Sequence, residues 1–149
     1  KKGDVVLVWG GSGGVGSMAI QLAAAVGAIP VAVVSDDERG EYCMKLGAKG
    51  YINRNEFSHW GTPPHWTDDA GQKAWTAGAR AFGAKIWEIV GEKKDPAIVI
   101  EHPGEATVPT LHGTRRKSGR VYEEGTEFSS KCLPSKCCFP TSEYQHETD

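Results

Sequence analysis

The sequence has few cysteines, no long apolar run and almost no net charge. Its four cysteines, three of them in a polar C-terminal stretch, are not spaced as in a disulfide scaffold, so we expect a reducing, cytoplasmic setting. No run approaches the ~18 apolar residues that a membrane span needs, which excludes a transmembrane role. Seventeen Lys and Arg against nineteen Asp and Glu leave a net charge of -2, so nucleic acid is not an expected partner.

The length of the chain limits its organisation, because 149 residues supply one hydrophobic core of ordinary size. The chain starts at Lys1 and enters an apolar run at Val5, so we expect a piece of a longer protein. Residues 1–128 are predicted to form one folded domain. Residues 129–149 are polar and aperiodic, which predicts a disordered tail.

Short apolar runs alternate with helical patterns along the chain. Val5 to Trp9 is continuously apolar, as expected of a strand covered by helices on both faces, and a segment rich in helix formers follows and ends at Gly27. Similar patterns predict strands at 30–34, 50–53 and 97–100, a possible strand at 119–122, and helices at 39–46 and 75–90. The alternation predicts a Rossmann-like α/β fold. Its doubly wound parallel sheet should have helices on both faces and be incomplete at the C-terminal end.

A glycine-rich loop lies between the first predicted strand and the first predicted helix. The pattern G-x-G-x-x-G typical of dinucleotide binding begins at Gly11 and ends at Gly16. We expect Gly11 to permit a tight turn, Gly13 to let the backbone approach a pyrophosphate, and Gly16 to let the helix pack on the strand. The anion would lie on the helix N-terminus. The cofactor-binding candidates in this loop are Gly11, Ser12, Gly13, Gly14, Val15 and Gly16.

The same glycine pattern is compatible with more than one role. A triphosphate-binding loop is rejected, because Ser17 occupies the position of its lysine. Glycines that serve only a strand-to-helix turn would give the same sequence pattern. Some Rossmann-like methyltransferases also share such a loop.

The residues after the second predicted strand leave the choice of cofactor open. Asp36 is placed to accept a hydrogen bond from the 2′-hydroxyl of NAD, whereas Ser35 and Arg39 are suited to hold the 2′-phosphate of NADP. Alternatively, Asp36 or Asp37 is the N-cap of the next helix and Arg39 is a solvated side chain.

The fourth predicted strand ends near the glycine loop in a doubly wound sheet. This places His102 toward the nicotinamide end of a bound cofactor, although a loop histidine beside a proline turn is the plainer interpretation. No metal site is predicted, because the cysteines at 132, 137 and 138 and the histidine at 146 lack ligand spacing.

Several longer segments carry a family resemblance. The chain resembles the crotonyl-CoA carboxylase/reductase group of medium-chain dehydrogenases/reductases over about residues 3 to 110. The resemblance rests on the glycine-loop segment VVLVWGGSGGVGSMAIQLAAAVGAIPVAVVS and on YCMKLGAKGYINR, FGAKIWEIVGEK and IVIEHPGEATVPT. Asp36 departs from the small polar residue usual in this group, and Arg39 stands where the group often has Lys.

The resemblance implies a zinc-independent, NADPH-dependent enzyme. Such an enzyme transfers hydride to an α,β-unsaturated acyl-CoA, and CO2 captures the resulting enolate to give a product such as ethylmalonyl-CoA. The full-length enzyme would take an acyl-CoA substrate and CO2 and form a homo-oligomer, with its catalytic residues outside this chain, which alone would be inactive. The resemblance also implies that the loop glycines bind the pyrophosphate and that Ser35 and Arg39 bind the 2′-phosphate. The alternative is a stand-alone NADP(H)-binding or sensing module without catalysis.

Overall fold

The computed structural model describes residues 1–65, 67–101, 107, 110, 120–123 and 126–128. The predicted tail, residues 129–149, lies outside the described residues. The elements, in chain order, are β1 (Val5–Trp9), α1 (Gly14–Ala25), β2 (Ile29–Val34), α2 (Asp37–Lys45), β3 (Gly50–Asn53), a 3₁₀ turn (Arg54–Glu56), α3 (Asp69–Val90), β4 (Ile98–Glu101), β5 (Arg120–Glu123) and β6 (Thr126–Phe128).

The strands form one sheet in the order β3-β2-β1-β4-β5-β6. All pairs from β3 to β5 are parallel, which confirms the predicted doubly wound arrangement. The last pair, β5 with β6, is antiparallel and was not predicted. Its direction follows from the short connection, because a parallel crossover needs about a dozen residues or more and only residues 124–125 are available here.

The helices cover both faces of the sheet, as predicted. Successive side chains of a strand point to opposite faces, so Leu7 of β1 packs in the cluster that contains Phe82 and Ile86 of α3. Val8, its neighbour in sequence, packs in the second cluster, which contains Ile20 of α1 and Cys43 of α2. The continuous apolar run of β1 is therefore buried on both sides.

Helix α3 begins earlier than the apolar pattern predicted. Asp68 is its N-cap and accepts a hydrogen bond from the Gly71 amide at 2.9 Å, and Gly91, with φ of 85°, ends it. Gly78 lies where the aromatic insertion, the loop between the 3₁₀ turn and α3 that carries His59 and Trp60, packs on the helix, and a Cβ there would be 2.7 Å from the ring of His59. This glycine, which weakens the helical pattern in sequence, is required for close packing of the insertion.

The outer face of α1 is apolar. Val15, Met18, Leu22 and Val26 are exposed along it, and the helix contains no charged residue. Within the part of the chain that the structure describes, no helix is both long and apolar enough to cross a bilayer.

Candidate functional site

The glycine loop makes a tight turn from Gly10 to Gly13, closed by a hydrogen bond from the Gly13 amide to the Gly10 carbonyl at 2.8 Å. Gly10 has φ of 59°, a left-handed conformation that favours glycine, whereas Gly11 has no positive φ. Gly11 therefore lies within the turn, but the positive φ is at Gly10. Gly11 is also buried against the second helical layer, because a Cβ there would lie 2.9 Å from Ala32 Cβ and 3.0 Å from Cys43 Sγ. A side chain at this position would push α2 away from the sheet.

Gly16 allows α1 to approach the loop closely. A Cβ at Gly16 would lie 2.8 Å from both the carbonyl carbon of Gly10 and the Cα of Gly11. These are backbone atoms, which cannot move aside as the end of a flexible side chain can. Gly16 therefore allows close packing of α1, as predicted, but the helix packs there on the glycine loop.

The N-terminus of α1 is open to solvent. Gly13 is its N-cap and provides no side-chain hydrogen bond, and the first turn has no acidic residue. The Ser17 amide donates to the Gly13 carbonyl at 2.8 Å, so the amides of residues 14–16 have no acceptor within the helix, whereas the Gly13 amide donates to the Gly10 carbonyl at 2.8 Å. Gly13, Gly14 and Val15 are exposed. This is a neutral site with a positive helix end, suited to an anion.

The end of β2 carries a compact polar network. Asp36 is the N-cap of α2, because its Oδ1 accepts a hydrogen bond from the Arg39 amide at 2.9 Å. Arg39 Nη1 donates to Ser35 Oγ at 2.7 Å, and Ser35 Oγ donates to Asp36 Oδ2 at 3.0 Å. The capping role of Asp36 is therefore correct, and the structure brings Ser35 and Arg39 together.

A pocket of about 130 Å³ opens between the glycine loop and this network. Among the described residues, its lining includes two arginines and two serines and no acidic residue, which suits a phosphate. It is lined by Trp9, Gly10, Ser12, Val33, Val34, Ser35, Arg39 and Arg54.

Arg54 is a lining residue that the sequence patterns did not single out. It directly follows β3, and the pairing of Val34 with Asn53 brings the ends of β2 and β3 side by side. Asn55 Nδ2 donates to the Ser35 carbonyl at 2.6 Å and so ties the two strand ends together. The signal was present in the sequence, because residues after neighbouring parallel strands meet at the same edge of the sheet.

The aromatic insertion supports this wall of the pocket. Trp60 Nε1 donates to the Arg54 carbonyl at 3.0 Å, and its ring lies 5.3 Å from that of Trp9 in an edge-on arrangement. His59 lies beneath it, 4.3 Å from the Trp60 ring. Burial lowers the pKa of His59, so its ring is neutral near pH 7. The insertion, which has no readable role in sequence, thus positions Arg54 and Trp9.

Strand β4 ends beside the glycine loop. Ile100 pairs with Val8, so Glu101 lies at the level of the start of the loop. Glu101 is buried and accepts a hydrogen bond from the Thr107 hydroxyl. His102, predicted near the nicotinamide, lies outside the described residues.

The fold and this edge of the sheet define a dinucleotide-binding class, and comparison with known proteins identifies the family. The family described as zinc-binding dehydrogenase matches residues 14–142, and the chain belongs to it. The match continues beyond residue 110, where the sequence motifs placed the end of the resemblance.

Two of the curated relatives are crotonyl-CoA enzymes. The crotonyl-CoA carboxylase/reductase of Cereibacter sphaeroides is 45% identical over 121 residues, which are 81% of this chain and 28% of that protein. The crotonyl-CoA reductase of Streptomyces avermitilis is 37% identical over an alignment that covers 100% of this chain and 29% of that protein. The resemblance to this group is confirmed. The chain spans less than a third of the length of these relatives.

Solved structures agree with these relatives. The crotonyl-CoA carboxylase/reductase AntE in complex with NADP is 55% identical, has a TM-score of 0.81, and is matched over 84% of this chain and 31% of that chain. The 2-octenoyl-CoA carboxylase reductase CinF in complex with NADP and 2-octenoyl-CoA is 36% identical, has a TM-score of 0.67, and is matched over 85% of this chain and 27% of that chain.

The family description includes zinc, but the described residues do not fit it. Nowhere in the described ranges do three or more His, Cys, Asp or Glu side chains cluster as a metal ion requires. The cysteines at 132, 137 and 138 and the histidine at 146 lie outside those ranges.

Proposed function

We propose that this chain is the NADPH-binding portion of an oxidoreductase that reduces and carboxylates an α,β-unsaturated acyl-CoA. The observation that carries the proposal is the pocket between the glycine loop and the end of β2, which combines Arg39 and Arg54 with the hydroxyl of Ser35. Support comes from relatives of the same fold that were solved with NADP.

The residues divide into two groups by the part of the cofactor they would hold. The open N-terminus of α1 would bind the pyrophosphate through backbone amides, with the bare Gly13 and Gly14 leaving room for it. The remaining loop candidates, Gly11, Ser12, Val15 and Gly16, would shape this cradle. Ser35, Arg39 and Arg54 would bind the 2′-phosphate, because guanidinium and hydroxyl groups donate to phosphate oxygens. His102 stays a prediction for the nicotinamide end.

Calorimetric titration of the 149-residue chain tests the cofactor assignment. NADPH should bind more tightly than NADH, because only NADPH carries the phosphate that Arg39 would contact. Arg39→Ala should weaken NADPH binding by about 10-fold, the ~1.4 kcal/mol of one charge-assisted hydrogen bond, and leave NADH nearly unchanged. Lys45→Ala is the matched control, because it removes one positive charge from the last turn of α2, outside the pocket. Equal wild-type affinities for both cofactors would refute the NADP assignment.

The activity, the acyl-CoA and CO2 partners, the homo-oligomer and the cytoplasmic location belong to this proposal for the longer protein. When bound, NADPH would supply the hydride, and this chain would hold and orient it. A chimera tests this: the 121 residues of this chain that align with the Cereibacter sphaeroides relative replace the matching span of that protein. The chimera should consume NADPH only when crotonyl-CoA is present, and the isolated chain should consume none. A correctly folded chimera that binds NADPH but leaves crotonyl-CoA unchanged would contradict the proposed activity.

A further inference from the structure

Asp36 contacts both β2-end residues proposed to bind the 2′-phosphate. Its Oδ2 atom accepts a hydrogen bond from Ser35 Oγ at 3.0 Å and lies 3.4 Å from Arg39 Nε. Its Oδ1 atom accepts from the Arg39 amide at 2.9 Å. The capping carboxylate of α2 is therefore also part of the phosphate-binding network.

These contacts use groups that a phosphate would need. A hydroxyl has one proton to donate, and Ser35 gives it to Asp36. Arg39 has part of its charge compensated by the same carboxylate. The hydrogen bond from the Arg39 amide lowers the pKa of Asp36, so the carboxylate is charged at neutral pH.

Two effects of Asp36 on a phosphate oppose each other. The carboxylate orders the Arg39 side chain, which favours binding, and it repels the incoming dianion, which opposes binding. The side chains of Arg39 and Asp36 are 59% and 48% exposed, and ordering by such an exposed ion pair contributes little. Exposure screens the repulsion as well, but a phosphate bonded to Ser35 and Arg39 would carry two charges beside this carboxylate, so repulsion is expected to be the larger effect.

We propose that Asp36 is a specificity-determining residue that weakens the preference of this site for NADPH over NADH, through its contacts with Ser35 and Arg39. The inference rests on the proposed cofactor-binding function. NADH lacks the phosphate and escapes the repulsion, and its 2′-hydroxyl is a donor that a carboxylate accepts. Asp36 thus brings the two affinities closer together.

Asp36→Asn in the 149-residue chain tests the inference. Asn has the same shape and remains a good N-cap, so α2 keeps its start while the charge is lost. Titration with NADPH and with NADH at low salt should show the affinity ratio moving toward NADPH by about fivefold or more, mainly through tighter NADPH binding. Glu38→Gln is the matched control, because it removes one negative charge from the first turn of α2, and it should leave the ratio unchanged.

The outcomes separate the inference from the function on which it rests. If the wild-type chain binds neither cofactor, the proposed function fails. If the wild type binds NADPH but Asp36→Asn leaves the ratio unchanged or lowers it, only the inference fails. An equal rise in Asp36→Asn and Glu38→Gln also overturns it, because the effect would then be general charge. Asp36→Ser, a second uncharged N-cap, decides the question if the Asn variant does not fold.

Discussion

Helices α1 and α2 follow neighbouring strands, yet their N-termini are built in opposite ways. Helix α2 carries charged side chains that compensate both ends of its dipole: it has a carboxylate N-cap, two more acidic residues in its first turn and Lys45 in its last turn. Helix α1 has a glycine N-cap, no side-chain cap and no charged residue in its first or last turn. The protein satisfies the dipole of α2 internally and leaves that of α1 unsatisfied. Of the two N-termini, that of α1 is therefore the one suited to an external anion.

The largest expected effect comes from a substitution that fills the close contact between α1 and the glycine loop. Gly16→Ala puts a Cβ within 2.8 Å of the Gly10 and Gly11 backbone, and we expect it to lower the free energy of unfolding by about 2–3 kcal/mol. NADPH binding should be lost with it. Chemical denaturation and calorimetric titration measure the two effects.

Gly14→Ala is the matched control for that substitution. Position 14 is on the same helix, and a Cβ there meets no atom within 4 Å. Alanine is the better helix former, so its free energy of unfolding should stay within about 1 kcal/mol of wild type or rise. Equal destabilisation by the two substitutions would show that helix propensity, not the close approach at Gly16, governs this region.

A carboxylate N-cap on α1, like that of α2, should remove the difference between the two helix N-termini. Gly13 has φ of -77° and ψ of 174°, which any residue adopts, and Asp at this position would cap the helix with a carboxylate. That carboxylate would occupy the anion site, so Gly13→Asp should weaken NADPH binding by about 100-fold. Gly13→Asn adds a side chain of the same shape without charge and should weaken binding less. A similar loss in both variants would indicate steric exclusion instead of charge.

Much of this architecture could be predicted from the sequence, because the patterns that reveal it are local. The run Val5 to Trp9 is apolar at every position because helices cover both faces, and the glycine loop follows it directly. The strand order and the two helical layers follow from the βαβ alternation, because parallel crossovers have a fixed hand. Strand β6 has no such pattern and was missed.

The finer features of the site depend on contacts between distant segments. Arg54 reaches the pocket only because β3 pairs with β2, and the sequence places it 15 residues beyond Arg39. Gly11 has a packing role that depends on Ala32 and Cys43, which no local pattern reveals. The sequence around Asp36 was compatible with a cap and with a ligand, and the hydrogen bond from the Arg39 amide, which depends on the folded backbone, shows that Asp36 caps α2.

A smaller effect should come from Arg54, which lines the pocket but belongs to neither α1 nor α2. Arg54→Gln removes one of the two guanidinium groups of the pocket, and we expect NADPH binding to weaken by about fivefold with little change for NADH. Arg80→Gln, on the exposed side of α3 and outside the pocket, is the matched control and should change neither affinity. If Arg54→Gln weakens NADH as much as NADPH, Arg54 contacts a part common to both cofactors.

The smallest expected effect is the pH dependence of the α2 N-cap compared with the α1 N-terminus, which can be measured without any ligand. The hydrogen bond from the Arg39 amide lowers the pKa of Asp36 below its ordinary 3.8, so the cap stabilises α2 above that pH. The stabilisation should disappear as the pH falls from about 3.8 through the lowered pKa, because the carboxylate then becomes protonated. Helix α1 has no titratable cap. Amide hydrogen exchange should therefore show the first turn of α2 opening in acid more than that of α1.

Asp36→Asn provides the control, because its cap does not titrate. In this variant, the difference in exchange between the first turns of α2 and α1 should change less between about pH 6 and about pH 3 than it does in the wild-type chain, because only the other acidic residues of the α2 first turn still titrate. If α2 in the wild-type chain loses no more protection than α1 over this range, the carboxylate of Asp36 contributes nothing as a charged cap. The contrast between the two helix ends would then rest on the uncharged N-terminus of α1 alone.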